Sequence, residues 1–205
     1  SLIDATYFSC SGGSTEDAVA VWGQDVPFLR SVDSPGEEDA PRFTDSVSFT
    51  TSEFAGKLGL SDQGDPASWF GAVRYTEGGG VDTMVIRGKT FTGPRLRSAL
   101  GLRSTAFSVS VDGKTITVTT RGFGHRVGMS QYGADAMARS GHTWQEILAH
   151  YYPGTLFPEC HNPVRSKATC GIYHELHFAR NSQSQYQAAT TYQPRSLALF
   201  YNRQS

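Results

Sequence analysis

The chain has 205 residues, 38% of them hydrophobic and 12% aromatic, which is enough to build about one domain around a hydrophobic core. Its formal net charge is −1, so it lacks the strongly basic surface that attracts nucleic acid or an anionic membrane, and neither is an expected partner. No apolar run reaches the roughly 18–20 residues of a membrane span. The first residues are typical of the middle of a domain rather than of a signal peptide.

The first part of the chain predicts short elements separated by turns. Strands are predicted over residues 2–8 and 42–49. Between them, residues 33–41 (DSPGEEDAP) are polar and are interpreted as a solvated loop. Thr50 and Glu53 form a capping-box pattern, which predicts a short helix ending at Gly59.

Two hairpins and a helix are predicted in the middle of the chain. Residues 69–88 suit a hairpin with a glycine-rich loop, and residues 92–100 suit a helix, because proline stands near its start and glycine follows its end. Residues 105–122 alternate between apolar and polar side chains on both sides of Asp112 and Gly113. This pattern predicts a hairpin with a type I′ turn at those two residues, each with a positive φ.

Residues 121–138, RGFGHRVGMSQYGADAMA, lead from the second hairpin strand into a helix predicted over residues 129–139. The glycines allow sharp bends and close approach of a ligand to the backbone. The helix start offers unpaired N–H groups. A second helix is predicted from a capping box at Thr143 and Glu146, and it ends before residues 153–154 (Pro-Gly).

The side chains of this segment are neutral and polar, and they suit a polyhydroxylated ligand such as a sugar. Ser130 and Gln131 offer donors and acceptors, Tyr132 adds a ring with a hydroxyl, and His125 exchanges a proton near neutral pH. A purely structural interpretation is also open. In that interpretation Ser130 caps the helix and His125 binds a backbone carbonyl.

Several ordered motifs resemble the stage II sporulation protein D / LytB-type family. They are GFGHRVGMSQYGADAMA followed by GHTWQEILAHYYPGTLF, the segment YFSCSGGSTEDAVAVWGQDVPFLRSVDSP (7–35) and the segment FTGPRLRSALGLRSTAFSV (91–109). The resemblance covers about residues 7–158. We therefore expect an α+β fold, a strand-rich single curved domain with short helices over residues 1–158. Residues 159–205 would be a cysteine-containing loop and a polar tail.

The resemblance implies work on the bacterial cell wall. Members of this family resemble lytic transglycosylases, which cut the MurNAc–GlcNAc bond of peptidoglycan strands and leave 1,6-anhydro-MurNAc ends. The alternative is a non-catalytic glycan-binding module that enhances a cell-wall amidase, which would then be a partner. Either function implies export to the cell envelope or the extracytoplasmic space. A third interpretation is an inactive fragment or a truncated gene product, and the sequence does not decide among the three.

The resemblance implies a groove wall that binds the glycan through eight residues. They are Ser11, Gly12, Gly13, Gly124, His125, Ser130, Gln131 and Tyr132. The catalytic Glu of the family precedes the Ser-Gly-Gly segment, and this chain is expected to begin after it. His125 is the candidate auxiliary catalytic residue, and Glu16 is the candidate substitute acid. The other interpretation of Glu16 is a favourable charge at a helix start.

Arg126 stands where relatives usually carry glycine, and it is expected either to rim the groove or to pair with an acid. Three cysteines are present. Cys160 and Cys170 would close a short loop as a disulfide in an oxidising compartment, leaving Cys10 free, or all three would be unrelated thiols. Three histidines lie close in sequence to Cys160 and Cys170, namely His161, His174 and His177. Their spacing matches no standard zinc pattern, so no cofactor is predicted. Zinc is the alternative that the resemblance implies, because some members of the family bind it through Cys and His.

Overall fold

The computed structural model describes residues 2–156 and 198–202, and these residues divide into two compact units. The larger unit is Thr6–Gly154. The described part of the smaller unit comprises residues 2–5, 155–156 and 198–202. The predicted disulfide, the cysteine–histidine cluster and the boundary after residue 158 lie outside the described residues, and they stay predictions. Of the predicted polar tail, residues 198–202 are described, and they form a strand that the sequence did not predict.

The described residues form eleven strands and five α-helices. The strands are β1 (Leu2–Asp4), β2 (Tyr7–Phe8), β3 (Thr44–Thr50), β4 (Phe70–Tyr75), β5 (Val81–Ile86), β6 (Lys89–Thr92), β7 (Phe107–Asp112), β8 (Thr115–Arg121), β9 (Met129–Ser130), β10 (Thr155–Leu156) and β11 (Ala198–Asn202). The helices are α1 (Ala18–Trp22), α2 (Thr51–Leu58), α3 (Gly93–Leu100), α4 (Gln131–Arg139) and α5 (Trp144–Tyr151), with a single 3₁₀ turn at Pro66–Ser68. The predicted α+β class with short helices is confirmed.

The larger unit contains two antiparallel three-stranded sheets with strand orders β3-β8-β7 and β4-β5-β6. A short parallel pair, β2 with β9, joins the start of this unit to the entry of α4. In the smaller unit β1, β11 and β10 form a third antiparallel sheet. The sequence predicted both hairpins but not β6.

One hydrophobic core joins both sheets of the larger unit to α2 and α3. Among its most deeply buried members are Phe54, Ile86, Leu96, Ile116 and Val118, none of them more than 1% exposed. The apolar residues of β8 alternate with polar ones, as the period of a strand requires. Because α3 belongs to this core, the outer face of α3 is held in a fixed position at the surface.

The hairpin of β7 and β8 turns one residue later than predicted. Asp112 still pairs with Thr115 in the ladder, so the two-residue turn is Gly113 and Lys114. Of these, Gly113 has a positive φ of 55° and Lys114 does not. The type I′ prediction at Asp112 and Gly113 is therefore wrong. Glycine at the first turn position with a positive φ there alone is the pattern of a type II′ turn.

Candidate functional site

Two glycine-containing segments pack backbone against backbone at the start of the histidine motif. An added Cβ at Gly12 would lie 2.9 Å from the carbonyl carbon of Arg121, and one at Gly122 would lie 2.5 Å from the oxygen of Ser11. Both glycines have positive φ angles, 82° and 78°. These glycines are therefore needed for close contact within the protein, whether or not a ligand also approaches.

A buried carboxylate holds the Ser-Gly-Gly turn. Glu37 is 1% exposed, and its Oε2 accepts the backbone N–H of Ser11 at 2.6 Å and that of Gly12 at 3.2 Å. Its Oε1 accepts the hydroxyl of Ser34, which in turn lies 2.5 Å from the hydroxyl of Tyr151. Burial raises the pKa of Tyr151 to about 12. The sequence interpretation missed Glu37, because it lies in the loop that looked solvated.

Glu16 and Arg126 form a buried ion pair, 3.0 Å from Oε1 to Nη1, with side chains 1% and 2% exposed. Arg126 also donates to the carbonyl oxygens of Ser11 (2.6 Å), Ser14 (2.8 Å) and Gly78 (2.6 Å). It therefore links the Ser-Gly-Gly turn, the histidine motif and the loop between β4 and β5. Of the two predicted positions for Arg126, the structure shows the pairing with an acid.

The second carboxylate oxygen of Glu16, Oε2, is buried without a hydrogen-bond partner. Oε1 accepts from the Thr76 hydroxyl at 2.9 Å and from the Gly80 N–H at 3.0 Å, besides Arg126. Burial raises the pKa of Glu16, and the Arg126 charge opposes that rise. Helix α1 begins two residues after Glu16, at Ala18, and the Glu16 carboxylate pairs with Arg126.

His125 is half-buried, and its contacts favour the neutral imidazole. Nδ1 accepts the Val127 N–H at 3.1 Å, which requires a lone pair on Nδ1 and places the proton of the neutral ring on Nε2. The rings of Phe8 and Trp22 lie 5.6 and 5.4 Å away, centroid to centroid. Burial and the nearby Arg97 charge lower the pKa of His125, while a hydrogen bond with the Tyr7 backbone acts in the opposite direction.

His125 opens onto a groove of about 450 Å³ beside α3. The groove is lined by His125, Arg97, Ser98, Thr105, Leu102 and Val21, among others. It therefore brings together three of the segments on which the family resemblance rests: segment 91–109, the histidine segment and, through Val21, segment 7–35. The sequence interpretation missed Arg97 and Ser98. A signal was present, since both lie in the quoted segment 91–109.

Three predicted groove residues lie at the start of α4. Ser130 is fully buried, and its hydroxyl accepts the Gly133 N–H at 3.2 Å, so the predicted capping role is confirmed. Gln131 is exposed, and the Tyr132 N–H donates to the Ser9 oxygen at 3.2 Å. Among the eight predicted binding residues, His125 is the one that lines the groove in the described part of the chain. Glycan binding by the other seven stays a prediction.

Three further findings concern the described residues. Within residues 2–156 and 198–202, no group of three or more His, Cys, Asp or Glu side chains is placed to hold a metal ion. None of the helices described is long and apolar enough to cross a membrane. Cys10 is buried as a free thiol, and burial raises its pKa to about 11.

Comparison with known proteins gives the same family as the motifs. Stage II sporulation protein D of Bacillus subtilis (strain 168) is 47% identical over 158 residues, which are 77% of this chain and 46% of that protein. The protein of the same name from Bacillus amyloliquefaciens is 45% identical over 74% of this chain and 44% of its own length. The chain belongs to the stage II sporulation protein D family over this matched part.

A more distant relative carries a different name. The amidase enhancer of Bacillus subtilis (strain 168) is 26% identical over 76% of this chain and 30% of its own length. No protein-family model matches the chain. The chain spans less than half the length of each of these curated relatives.

Proposed function

We propose that this chain is a glycan-binding part of a cell-wall protein, and that the groove beside His125 binds peptidoglycan strands. One observation carries the proposal: three of the family segments meet in this groove, in a chain 47% identical to a stage II sporulation protein D. Such a protein works outside the cytoplasm, so we also propose that the chain is exported to the bacterial cell envelope.

The groove offers neutral hydrogen-bonding groups that suit sugar hydroxyls. The hydroxyls of Ser98 and Thr105 each donate and accept, and the neutral ring of His125 lies beside them with its nitrogens bonded to the backbone at Val127 and Tyr7. Leu102 and Val21 add apolar surface. A sugar ring has hydroxyls at its edge and apolar C–H groups on its faces, and this mixture of side chains matches both.

Lytic transglycosylation is the reaction that we propose for the complete protein. A general acid protonates the leaving glycosidic oxygen, and the C6 hydroxyl of the same MurNAc attacks C1 as its proton is removed. The bond between the two sugars breaks, and a 1,6-anhydro ring forms without water. No carboxylate lies among the described residues that line the groove. The proposal therefore assigns the acid to the segment that precedes Ser-Gly-Gly in the family.

Glu16 is a poor substitute for that acid. Its carboxylate is 1% exposed and bound to Arg126, so a glycosidic oxygen has no access to it. His125 is poor for a different reason. A general acid must carry its proton before the reaction, and the lowered pKa of His125 leaves the ring neutral at pH 7. We propose that His125 binds or orients the substrate.

Glycan binding without cleavage is the second candidate function. The relative named amidase enhancer favours it, because that name describes help to another enzyme rather than cleavage. In this case a cell-wall amidase would be the partner, and the groove would hold the strand near it.

The test uses glycan strands stripped of their stem peptides, in two measurements. Titration calorimetry measures binding to this chain, and mass spectrometry looks for 1,6-anhydro-MurNAc ends, with and without the upstream segment. We expect binding by this chain and anhydro ends only when the upstream segment is present. Binding without anhydro ends from the longer chain favours the amidase-enhancing role. Anhydro ends from this chain alone would overturn the assignment of the acid.

Two variants, one of a serine and one of a glutamine, test where on the chain the glycan binds. Ser98→Ala removes an exposed hydroxyl inside the groove, and Gln131→Ala changes an exposed predicted binding residue on α4. We expect Ser98→Ala to weaken glycan binding severalfold, the scale of about 1 kcal/mol for a lost hydrogen bond. Normal binding by Ser98→Ala together with weak binding by Gln131→Ala would place the site on α4 instead.

A further inference from the structure

Three aromatic side chains are in contact beside the groove. The ring of His125 lies 5.6 Å from that of Phe8 and 5.4 Å from that of Trp22, centroid to centroid. Phe8 is buried, whereas Trp22 is 43% exposed. The histidine of the family motif therefore contacts one ring of the interior and one ring at the surface.

Trp22 differs in exposure from the other tryptophans of the chain. There are three tryptophans, of which Trp69 is 3% exposed in the hydrophobic core and Trp144 is partly buried. Burying an apolar side chain stabilises a folded protein, and tryptophan has one of the largest apolar surfaces to bury. The indole of Trp22 therefore offers surface that a ligand is able to cover.

The backbone around Trp22 fixes the indole at the rim of the groove. Trp22 is the last residue of α1, which Gly23 ends in the left-handed conformation with a φ of 71°. Just before α1, the Glu16 N–H donates to the Arg126 oxygen at 2.6 Å, so the helix is tied to the histidine motif. The residue before Trp22 is Val21, which itself lines the groove. The exposed ring is therefore continuous with the groove wall.

The ring nitrogens of His125 are bonded within the protein. Nδ1 accepts the Val127 N–H at 3.1 Å, and the ring also forms a hydrogen bond with the Tyr7 backbone. These two bonds fix the orientation of the imidazole and use its polar atoms. Its contact with Trp22 is through the ring. His125 is therefore placed to support the indole of Trp22.

The flat face of an indole suits one part of a sugar in particular. A pyranose ring has C–H groups on its faces and hydroxyls around its edge. A sugar that lies on Trp22 would cover the apolar indole with its face, while its hydroxyls stay in water. A glycan strand is a row of such rings, so a strand bound beside Ser98 and Thr105 is able to continue onto Trp22.

We infer that Trp22 stacks on a sugar ring of the bound strand and forms an additional sugar subsite at the rim of the groove, where His125 positions the indole. This inference rests on the proposed glycan binding. The contact uses C–H groups that GlcNAc and MurNAc share, so it requires neither a lactyl group nor a stem peptide. Trp22 is then a binding residue, and His125 is a positioning residue that acts through it.

The test uses chitooligosaccharides as the probe, in two measurements on the whole chain. In titration calorimetry, Trp22→Ala should weaken binding of a long oligosaccharide about tenfold, because the aromatic contact and its buried area are lost. Trp22→Phe keeps a smaller ring and should recover part of the affinity. Adding the oligosaccharide should change the tryptophan emission of the wild-type chain. Trp22→Phe should lose that change, since neither Trp69 nor Trp144 lines the groove.

Tyr75→Ala is the matched control. Tyr75 is another exposed aromatic residue of the larger unit, 58% exposed, and it is not among the residues that line this groove. Its truncation should leave binding within about twofold of wild type, the margin expected for a site without contact to the ligand.

A double-mutant cycle tests the positioning role of His125. His125→Ala should weaken binding in the wild-type chain, because the indole loses its support. In a chain that already carries Trp22→Ala, the same change should have almost no further effect, since residues that act through one contact are not additive. A full additional loss from His125→Ala in that background would overturn the positioning role.

The remaining outcomes separate the inference from the proposed function. Normal binding by Trp22→Ala, or calorimetric binding without any change in wild-type tryptophan emission, would overturn the subsite and leave glycan binding intact. An equal loss in Tyr75→Ala would show a general effect of removing an aromatic side chain and would also overturn it. If Trp22→Ala does not fold, the emission of wild type and of Trp22→Phe still decides. A wild-type chain that binds no chitooligosaccharide and no peptide-free strand would refute the proposed function itself.

Discussion

Removing Arg126 should be among the most destabilising single changes in the larger unit. Arg126→Met keeps most of the apolar stem but removes the guanidinium. The carboxylate of Glu16 then remains buried without its counter-ion, and the oxygens of Ser11, Ser14 and Gly78 lose their donor. The change therefore removes the hydrogen bonds that link three segments of the site.

The expected loss in free energy of unfolding is large because both members of the ion pair are buried. Breaking a fully buried ion pair by removing one partner costs about 3–5 kcal/mol in free energy of unfolding. For a chain of this size, each kcal/mol lowers the melting temperature by about 2–4 °C, so the total decrease is about 6–20 °C. Calorimetric melting at pH 7.5 measures this decrease directly.

The protonation of Glu16 gives a second, independent test of the effect of the Arg126 charge. Its pKa is already raised by burial, and without the opposing Arg126 charge it should rise further. A carboxyl whose folded pKa exceeds its unfolded pKa favours folding less as the pH rises from about 4.5 through the folded pKa. The Arg126→Met chain should therefore lose more stability than wild type between pH 5 and pH 8. The double variant Glu16→Gln/Arg126→Met should be more stable than Arg126→Met at pH 7.5.

Arg74→Met is the matched control, because Arg74 also bonds to a carboxylate, that of Asp82 at 2.6 Å, but is 76% exposed. Exposed pairs contribute about 0–1 kcal/mol. If Arg126→Met and Arg74→Met lower the melting temperature equally, burial is not what gives the Arg126 pair its importance, and the structural reasoning fails.

Three other changes test local features. Gly113→Val should lower stability by about 1–2 kcal/mol, because the positive φ of 55° costs a side chain about that much; an unchanged melting temperature would contradict the corrected turn. Gly124→Ala should destabilise the chain, because its Cβ would lie 2.7 Å from that of Phe8, and chemical denaturation would show no shift if Phe8 moves away freely. The pKa of His125 is lowered from 6.5 in the folded chain, so at a pH below 6.5 the unfolded chain binds more protons than the folded one, and stability falls as the pH drops. His125→Gln should lose this part of the pH dependence in melting curves from pH 7.5 to 5.5.

Local features of the fold were predictable from the sequence. Both capping boxes are present, Thr50 with Glu53 and Thr143 with Glu146, since a cap depends on residues three positions apart. The hairpin of β7 and β8 was also predicted, but its turn was placed one residue early. Alternation alone did not show that Asp112 still pairs in the ladder, and a glycine falls within the turn in either register.

Long-range features were not predictable in the same way. The polar loop of residues 33–41 has the composition of a solvated segment, yet Glu37 bonds to Ser11, 26 positions away. Likewise, the groove forms where α3 meets the histidine motif, and no periodicity in either segment specifies that meeting. The family resemblance identified both segments as important, while the structure shows how Arg97 and His125 share one surface.

The charged groups of the described residues suit binding of a glycan but do not supply the acid that cleavage needs. The two deeply buried acids are both engaged within the protein: Glu16 bonds to Arg126, and Glu37 holds the Ser-Gly-Gly turn. Among the described residues that line the groove, the charged one is Arg97, a cation, and it lies beside a neutral His125. A cation and neutral donors are able to hold a carboxylated sugar, but neither supplies the proton that a glycosidic oxygen needs to leave. Cleavage by a protein with this groove therefore requires an acid from outside the described residues, and binding does not.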